Sequence, residues 1–225
     1  MNYTQLSDAI QAYTENTEAN FVAEIPVFVT QAEQRIYNSV QFPSIRKNVY
    51  GQVTANNKYL QCPTDFLAVY SLAIVTDVTG GDMNTGTYEY LLNKDVNFIR
   101  QAYPSASDTG LPKYYALFGA QTNAPNELSF ILGPKPDANY TVELHFYYYP
   151  ESIVTADETW LGDNFDSVLL YGSLVEAYTY MKGETDMMGL YNQKYQEALA
   201  LAKRLGDGME RQDAYRSGQY RQAVT

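Results

Sequence analysis

Across 225 residues the chain has one cysteine, one histidine and one tryptophan, and each scarcity removes a class of chemistry. A single cysteine, Cys62, closes no internal disulfide. One histidine with one cysteine falls short of the ligand set of a zinc site, so neither a metal nor another cofactor is expected. Basic side chains are also few, 15 Lys plus Arg against 26 Asp plus Glu, for a formal net charge of −11. Phosphate binding draws its affinity from Lys and Arg displacing counterions, so a coat of nucleic acid over the whole surface is excluded. Long apolar runs are missing too. The longest, Phe66 to Val75, is about half of the roughly 20 residues a membrane-crossing helix needs, and no basic-then-apolar leader opens the chain. No membrane partner is expected, and synthesis is expected in the cytoplasm.

Signatures of catalysis are equally sparse. His145 lies in the strand-like run Val142 to Tyr147, where alternate side chains face opposite ways, and has no triad role there. There is no Gly-x-Ser-x-Gly, no phosphate-cradling loop and no dinucleotide fingerprint. Two carboxylates suffice for glycoside hydrolysis, and Asp157, Glu158, Asp163 and Asp166 are the available set. Helix capping by Asp163 and Asp166 and a turn at Asp157-Glu158 explain them better. No catalytic residue is assigned and no enzyme activity is expected.

The hydrophobic patterning predicts an α+β chain. Leu6, Ile10 and Tyr13, with Thr4 as N-cap, mark a first helix. Pro26 in a first turn, then Phe28, Val29, Ala32, Ile36 and Val40, mark a second that Pro43 ends. From Asn48 the period changes to two, and Ala55-Asn56-Asn57-Lys58 reads as a hairpin turn between Val49–Val53 and Tyr59–Gln61. Strands are predicted at 66–77, 87–92, 113–118, 128–132 and 140–149, and a short helix at 95–102. Helical spacing returns from an N-cap at Asp163 through Phe165, Leu169, Gly172, Val175, Tyr178 and Met181. A last helix carries Met188, Tyr191, Tyr195, Ala198, Ala202 and Leu205 and stops at Gly206. Each helix has one apolar stripe and needs a partner. The expected architecture is therefore a four-helix bundle of residues 1–47 and 151–206, an inserted antiparallel β-domain of residues 48–150, and an extended C-terminal tail of residues 207–225.

Two features of what is present point outward. Residues 203–225 hold five basic and three acidic side chains, against 10 and 23 in residues 1–202, so the charge is split between tail and body. Within the tail, Arg211, Asp213, Tyr215, Arg216, Tyr220 and Arg221 have the composition of a segment that orders against a partner. Tyrosine is also abundant, 22 residues. It covers apolar area while keeping a hydroxyl for water, which suits a protein interface and equally a carbohydrate-binding module.

Three stretches in order, Ile25-Pro26-Val27-Phe28-Val29-Thr30-Gln31-Ala32-Glu33-Gln34-Arg35-Ile36, Leu60-Gln61-Cys62-Pro63-Thr64-Asp65-Phe66-Leu67 and the helical pair from Asp163 to Leu205, carry a resemblance. The chain resembles the head-to-tail adaptor, or connector, proteins of bacteriophages, including the tail tubular A type. The resemblance implies a homo-oligomeric ring, commonly of twelve subunits, in the neck of the virion. The ring would lie below the portal protein and above the tail nozzle or tube, and DNA would pass through it without specific binding. It also implies that Arg211 to Thr225 docks on the portal. An acidic wall fits passage of a like-charged duplex. A nozzle or tubular component one layer lower, and a sugar-binding module, are the alternatives.

Overall fold

A computed structural model of the chain describes the backbone of residues 1–40, 42–121 and 124–222, and the side chains among these except at 43, 121, 124–126 and 207–222. Seven helices and two sheets are present among the described residues. In chain order they are α1 (Tyr3–Thr14), α2 (Ala19–Ser39), β1 (Arg46–Val53), β2 (Tyr59–Gln61), β3 (Ala68–Thr76), β4 (Thr87–Tyr90), β5 (Leu92–Asn93), α3 (Val96–Ala102), β6 (Tyr114–Gln121), β7 (Ala124–Gly133), β8 (Tyr140–Tyr147), α4 (Ile153–Ala156), α5 (Trp160–Asn164), α6 (Asp166–Met181) and α7 (Thr185–Gln222). The chain is mixed α+β and divides into two compact units. One comprises Met1–Ile45 with the chain from Tyr149 onward, the other Arg46–Tyr148.

In the first unit α6 packs against α1, α2 and α7. Its buried residues, Val168, Leu169, Leu170, Gly172, Ser173, Leu174 and Ala177, extend well beyond one stripe, as neighbours on several sides require. Gly172 sets the closeness of two of them: a Cβ there would lie 3.2 Å from Ala32 Cβ and 3.2 Å from the Tyr195 ring. Ser173 is buried without cost because its hydroxyl donates to Leu169 O at 2.8 Å. Arg35 of α2 pairs with Glu176 of α6.

Several helix ends differ from the sequence expectation. Asn2, not Thr4, caps α1: its Oδ1 accepts from Gln5 N at 2.9 Å, and Gln5 Oε1 accepts from Asn2 N in return. The second helix starts at Ala19, so Pro26 sits in its interior and not in its first turn. Burial of Phe21 and Ile25 upstream extends the helix despite the missing donor. Asp163 lies inside α5, 3.7 Å from the N-terminal amine, and Phe165 occupies the N-cap of α6. The stop between α6 and α7 falls where expected, with Lys182 left-handed and Gly183 N–H bonded to Tyr178 O. The last helix does not end at Gly206. It continues through Gly208 to Gln222, replacing the expected extended tail. Two glycines cost about 1 kcal/mol each in a helix, and the Met, Glu, Arg, Gln and Ala that follow are good helix formers. Leu205, expected on the packed face, is exposed, whereas Leu199 is buried.

Among the described residues Glu33 is the one carboxylate in this unit that is almost wholly enclosed, 3% exposed, and its Oε1 accepts from Ile153 N at 2.9 Å. Burial raises its pKa above the ordinary carboxylate range, opposed by the bonds from Ile153 and Ser152. With a raised folded value, the native state keeps a proton that the unfolded chain has released, so this group's contribution falls as pH rises through that window. Glu33→Gln keeps the acceptor and removes the titration. In denaturant melts at successive pH values, the variant is expected to gain on the parent as pH rises above the unfolded carboxylate value, and the gain levels off once Glu33 has ionised in the folded state.

The second unit holds two four-stranded sheets, ordered β1-β8-β3-β4 and β2-β7-β6-β5. Their inner faces share one core: Leu72, Ile74, Val142, Leu144 and Phe146 from the first sheet with Tyr115, Phe130 and Leu132 from the second. The ladders are antiparallel except β5–β6, which is parallel over Leu92↔Tyr114 and Asn93↔Tyr115. The hairpin expected between β1 and β2 is absent, since the two strands belong to different sheets. Asn56 has the positive φ of 64° that its residue type favours. Its N–H, however, goes to Pro136 O and that of Ala55 to Asn139 Oδ1, so the turn carries the chain from one sheet to the other. Likewise 87–92 is two strands, because buried Leu91 turns the chain between sheets. The short helix expected at 95–102 is α3, capped by Asp95, and its Ile99 covers Ala116 and Ile131 on the outer side of the second sheet.

Cys62 is packed in the shared core, and burial raises its thiol pKa to about 12. A protonated, enclosed thiol is a poor nucleophile. Disulfide reagents at neutral pH are therefore expected to leave Cys62 unmodified in the native protein and to label it stoichiometrically in guanidinium, which a thiol count checks.

Candidate functional site

Two exposed surfaces of the second unit gather aromatic and charged side chains. The first is the outer face of sheet β1-β8-β3-β4. Period-two alternation sends Val142, Leu144 and Phe146 into the core, leaving Thr141, Glu143, His145 and Tyr147 outside. Register places Arg46, Asn48 and Tyr50 opposite Tyr147, His145 and Glu143. It also brings Tyr88 and Tyr90 beside Val75 and Ala73. The Tyr50 and Tyr88 hydroxyls meet at 3.2 Å, and Asn48 Nδ2 donates to Glu143 Oε1 at 2.7 Å. The Tyr88 bond holds the Tyr50 phenol in its protonated form, well above the usual tyrosine range. Tyr70 sits at a β-bulge, edge-on to His145 at 4.8 Å, with the Arg46 guanidinium 4.7 Å from its ring. Partial burial and Arg46 lower the His145 pKa, opposed by Glu143, so at neutral pH the imidazole is an uncharged part of this aromatic surface. Tyr50, Tyr70 and Tyr90 are 48%, 48% and 64% exposed, large aromatic bodies open to solvent.

The second surface is a cleft of about 650 Å³ beside α3. Its apolar floor is Ile99, Ile131 and Leu132. Lys58, Arg100 and Lys135 stand around its mouth with Asp108 as the one acid. Lys135 Nζ donates to Ala106 O at 2.6 Å, and Asp108 Oδ2 accepts from Ser105 N at 2.9 Å, so both help to hold the rim. Lys58 lies over the Tyr59 ring at 5.5 Å and Arg100 over Phe118 at 5.2 Å, which leaves their charged heads toward solvent. The cleft was not legible in the sequence: its residues come from five separate segments, and no spacing links them.

The carboxylates weighed for catalysis have separate structural settings. Asp157 ends α4 with φ 63°, Asp163 faces the N-terminal amine, and Asp166 opens α6 and accepts from the Ser167 hydroxyl. Among the described residues no group of three or more His, Cys, Asp or Glu is placed to hold a metal, and no helix is long and apolar enough to cross a membrane. The side chains of Arg211, Asp213, Tyr215, Arg216, Tyr220 and Arg221 lie outside the described residues. Their backbone belongs to α7.

A family model described as SU10 adaptor protein matches residues 1–222, nearly the whole chain. The chain belongs to the SU10 adaptor protein family. The match agrees with the resemblance to phage head-to-tail adaptors and spans both units of the fold. No curated protein matches this chain.

Proposed function

We propose that this adaptor forms a closed ring in the neck of the phage particle, docked on the portal above and on nozzle or tail-tube proteins below, with the genome passing through it. The reading is of a structural protein, not an enzyme. The observation that carries it is the match to an adaptor family over residues 1–222. The charge distribution supports it: residues 46–148 hold seven basic and nine acidic side chains, while the rest of the chain holds eight and 17. Acidic walls repel a duplex and let it slide, whereas basic ones would hold it by counterion release. We take the four long helices as the bundle and the β unit as its insertion. Closing twelve copies by rotation requires head-to-tail contacts, and Leu190, Leu201 and Leu205, exposed on α7, are apolar surface available for them.

In this reading the last turns of α7, with Arg211, Arg216, Arg221, Tyr215 and Tyr220, are a helical portal-docking segment. Removing residues 209–225 is expected to lower the helical circular dichroism signal only by the turns removed and to leave the melting of the remainder close to the parent's, while abolishing co-sedimentation with portal rings. A reconstruction of the particle is expected to show the chain as a ring between capsid and tail. A peripheral spike or fibre built of this chain would overturn the reading.

A further inference from the structure

We propose that the β3–β4 hairpin of one copy seats in the α3 cleft of the next, as a head-to-tail contact between β units. The inference rests on the ring reading and names the surfaces that would meet.

The two surfaces are complementary in charge, and neither is neutralised by an ion pair among the described residues. From Ala68 to Leu92 the sequence has no Lys or Arg but carries Asp77, Asp82 and Glu89. All three are exposed, and none is in an ion pair among the described residues. Around the cleft, Lys58, Arg100 and Lys135 likewise make no ion pair among the described residues. The local acids are already engaged, Asp95 as the α3 N-cap and Asp108 on Ser105 N. An acidic hairpin and a cationic cleft on one acidic molecule can pair between copies, and in a closed ring each copy gives one surface and receives the other.

Shape and rigidity agree. The hairpin narrows to Thr79-Gly80-Gly81-Asp82, and both glycines take left-handed φ values, 64° and 81°, that leave the tip without side chains. The loop is fixed from within: Asp82 Oδ1 accepts from Asn84 N at 3.0 Å, Thr85 Oγ1 donates to Asp82 O at 2.7 Å, and Thr79 N donates to Thr85 Oγ1 at 2.9 Å. A preformed loop loses little freedom on docking. The cleft's volume is in the range of sites that enclose small ligands, and it has an apolar floor under a charged rim. Tyr90, at the base of the hairpin, adds exposed apolar surface there, 64%.

The test has two arms. Thr79→Cys with Ala106→Cys places one thiol on the hairpin tip and one on the cleft rim of every chain, with Cys62 buried. In assembled particles, mild oxidation is expected to yield a ladder of disulfide-linked multimers from the double variant, and nothing beyond a dimer from either single variant. In the second arm, Lys58→Glu with Arg100→Glu makes the cleft acidic, and Thr79→Lys, Thr87→Lys and Glu89→Lys together make the hairpin basic, three lysines against Asp77 and Asp82. Each variant alone is expected to lose at least tenfold in incorporation on portal-bearing capsids, while an equimolar mixture restores it, because alternating copies match every cleft to a hairpin. Particles with an adaptor ring but no ladder, or incorporation untouched by the charge changes, would overturn the hairpin contact and leave the ring reading standing. Particles with neither a ring nor a ladder would overturn both.

Discussion

Tyr195→Phe is expected to stabilise the protein by about 1 kcal/mol, and Tyr195→Ala to destabilise it by about 3–5 kcal/mol. The opposite signs come from the two halves of one side chain. The ring is 1% exposed and lies against Gly172 of α6, with the Arg35 guanidinium 6.0 Å from its centroid. Truncation would leave a cavity between helices whose approach that ring defines. The hydroxyl is buried and finds no hydrogen-bond partner among the described residues, so removing it relieves a desolvated polar group. Urea melts of the two variants beside the parent check both signs at once. A loss on Tyr195→Phe comparable to that on Tyr195→Ala would mean that the hydroxyl is bonded.

The second large effect belongs to the β unit. Phe130 is fully buried, edge-on to Phe66 at 5.5 Å and to Tyr115 at 5.7 Å, and links the inner faces of the two sheets. Phe130→Ala is expected to cost about 3–5 kcal/mol. A double-mutant cycle with Phe66→Ala should show a coupling of about 0.5–1.5 kcal/mol from the perpendicular ring pair, beyond the area each ring buries. Additive losses would mean that the two rings act only as separate hydrophobic fillers.

What could be read from the sequence, and what could not, follows from the range of each signal. Apolar spacing located α1, α2, α6 and the first part of α7, because burial along one helix writes a local pattern. Composition located β3, β6, β7 and β8, because Tyr, Val, Ile and Phe fit a half-buried pleat. Caps were less legible: Asn2 and Thr4 are both good N-cap residues, and only geometry chooses between them. Pro26 and Gly206 were misread for a shared reason, since neighbouring interactions kept each in a helix that local preference would have ended. The Asn56-Asn57 turn was recognised as a turn, but its partner strands were not, because β2 pairs with Tyr59↔Ile131 at long range. The cleft beside α3 was invisible for the same reason. The tyrosine excess announced an exposed aromatic surface without saying that register would place Tyr50, Tyr70, Tyr88 and Tyr147 on one sheet.

The β1–β8 ladder has a consequence for how the chain folds. Arg46 and Tyr147, at the entrance and exit of the β unit, are register partners, and pairing continues unbroken to Val53 and Tyr140. Antiparallel partners lie about 5 Å apart, so the folded insertion presents its two ends as a clasp. An unstructured segment of that length would charge the helical part roughly 4 kcal/mol of closure entropy, which a zipped ladder removes beforehand. The module is therefore expected to be excisable, with a short glycine linker joining Ile45 to Tyr149. It is also expected to accept relocated termini at the Gly80-Gly81 tip, with the clasp still shut.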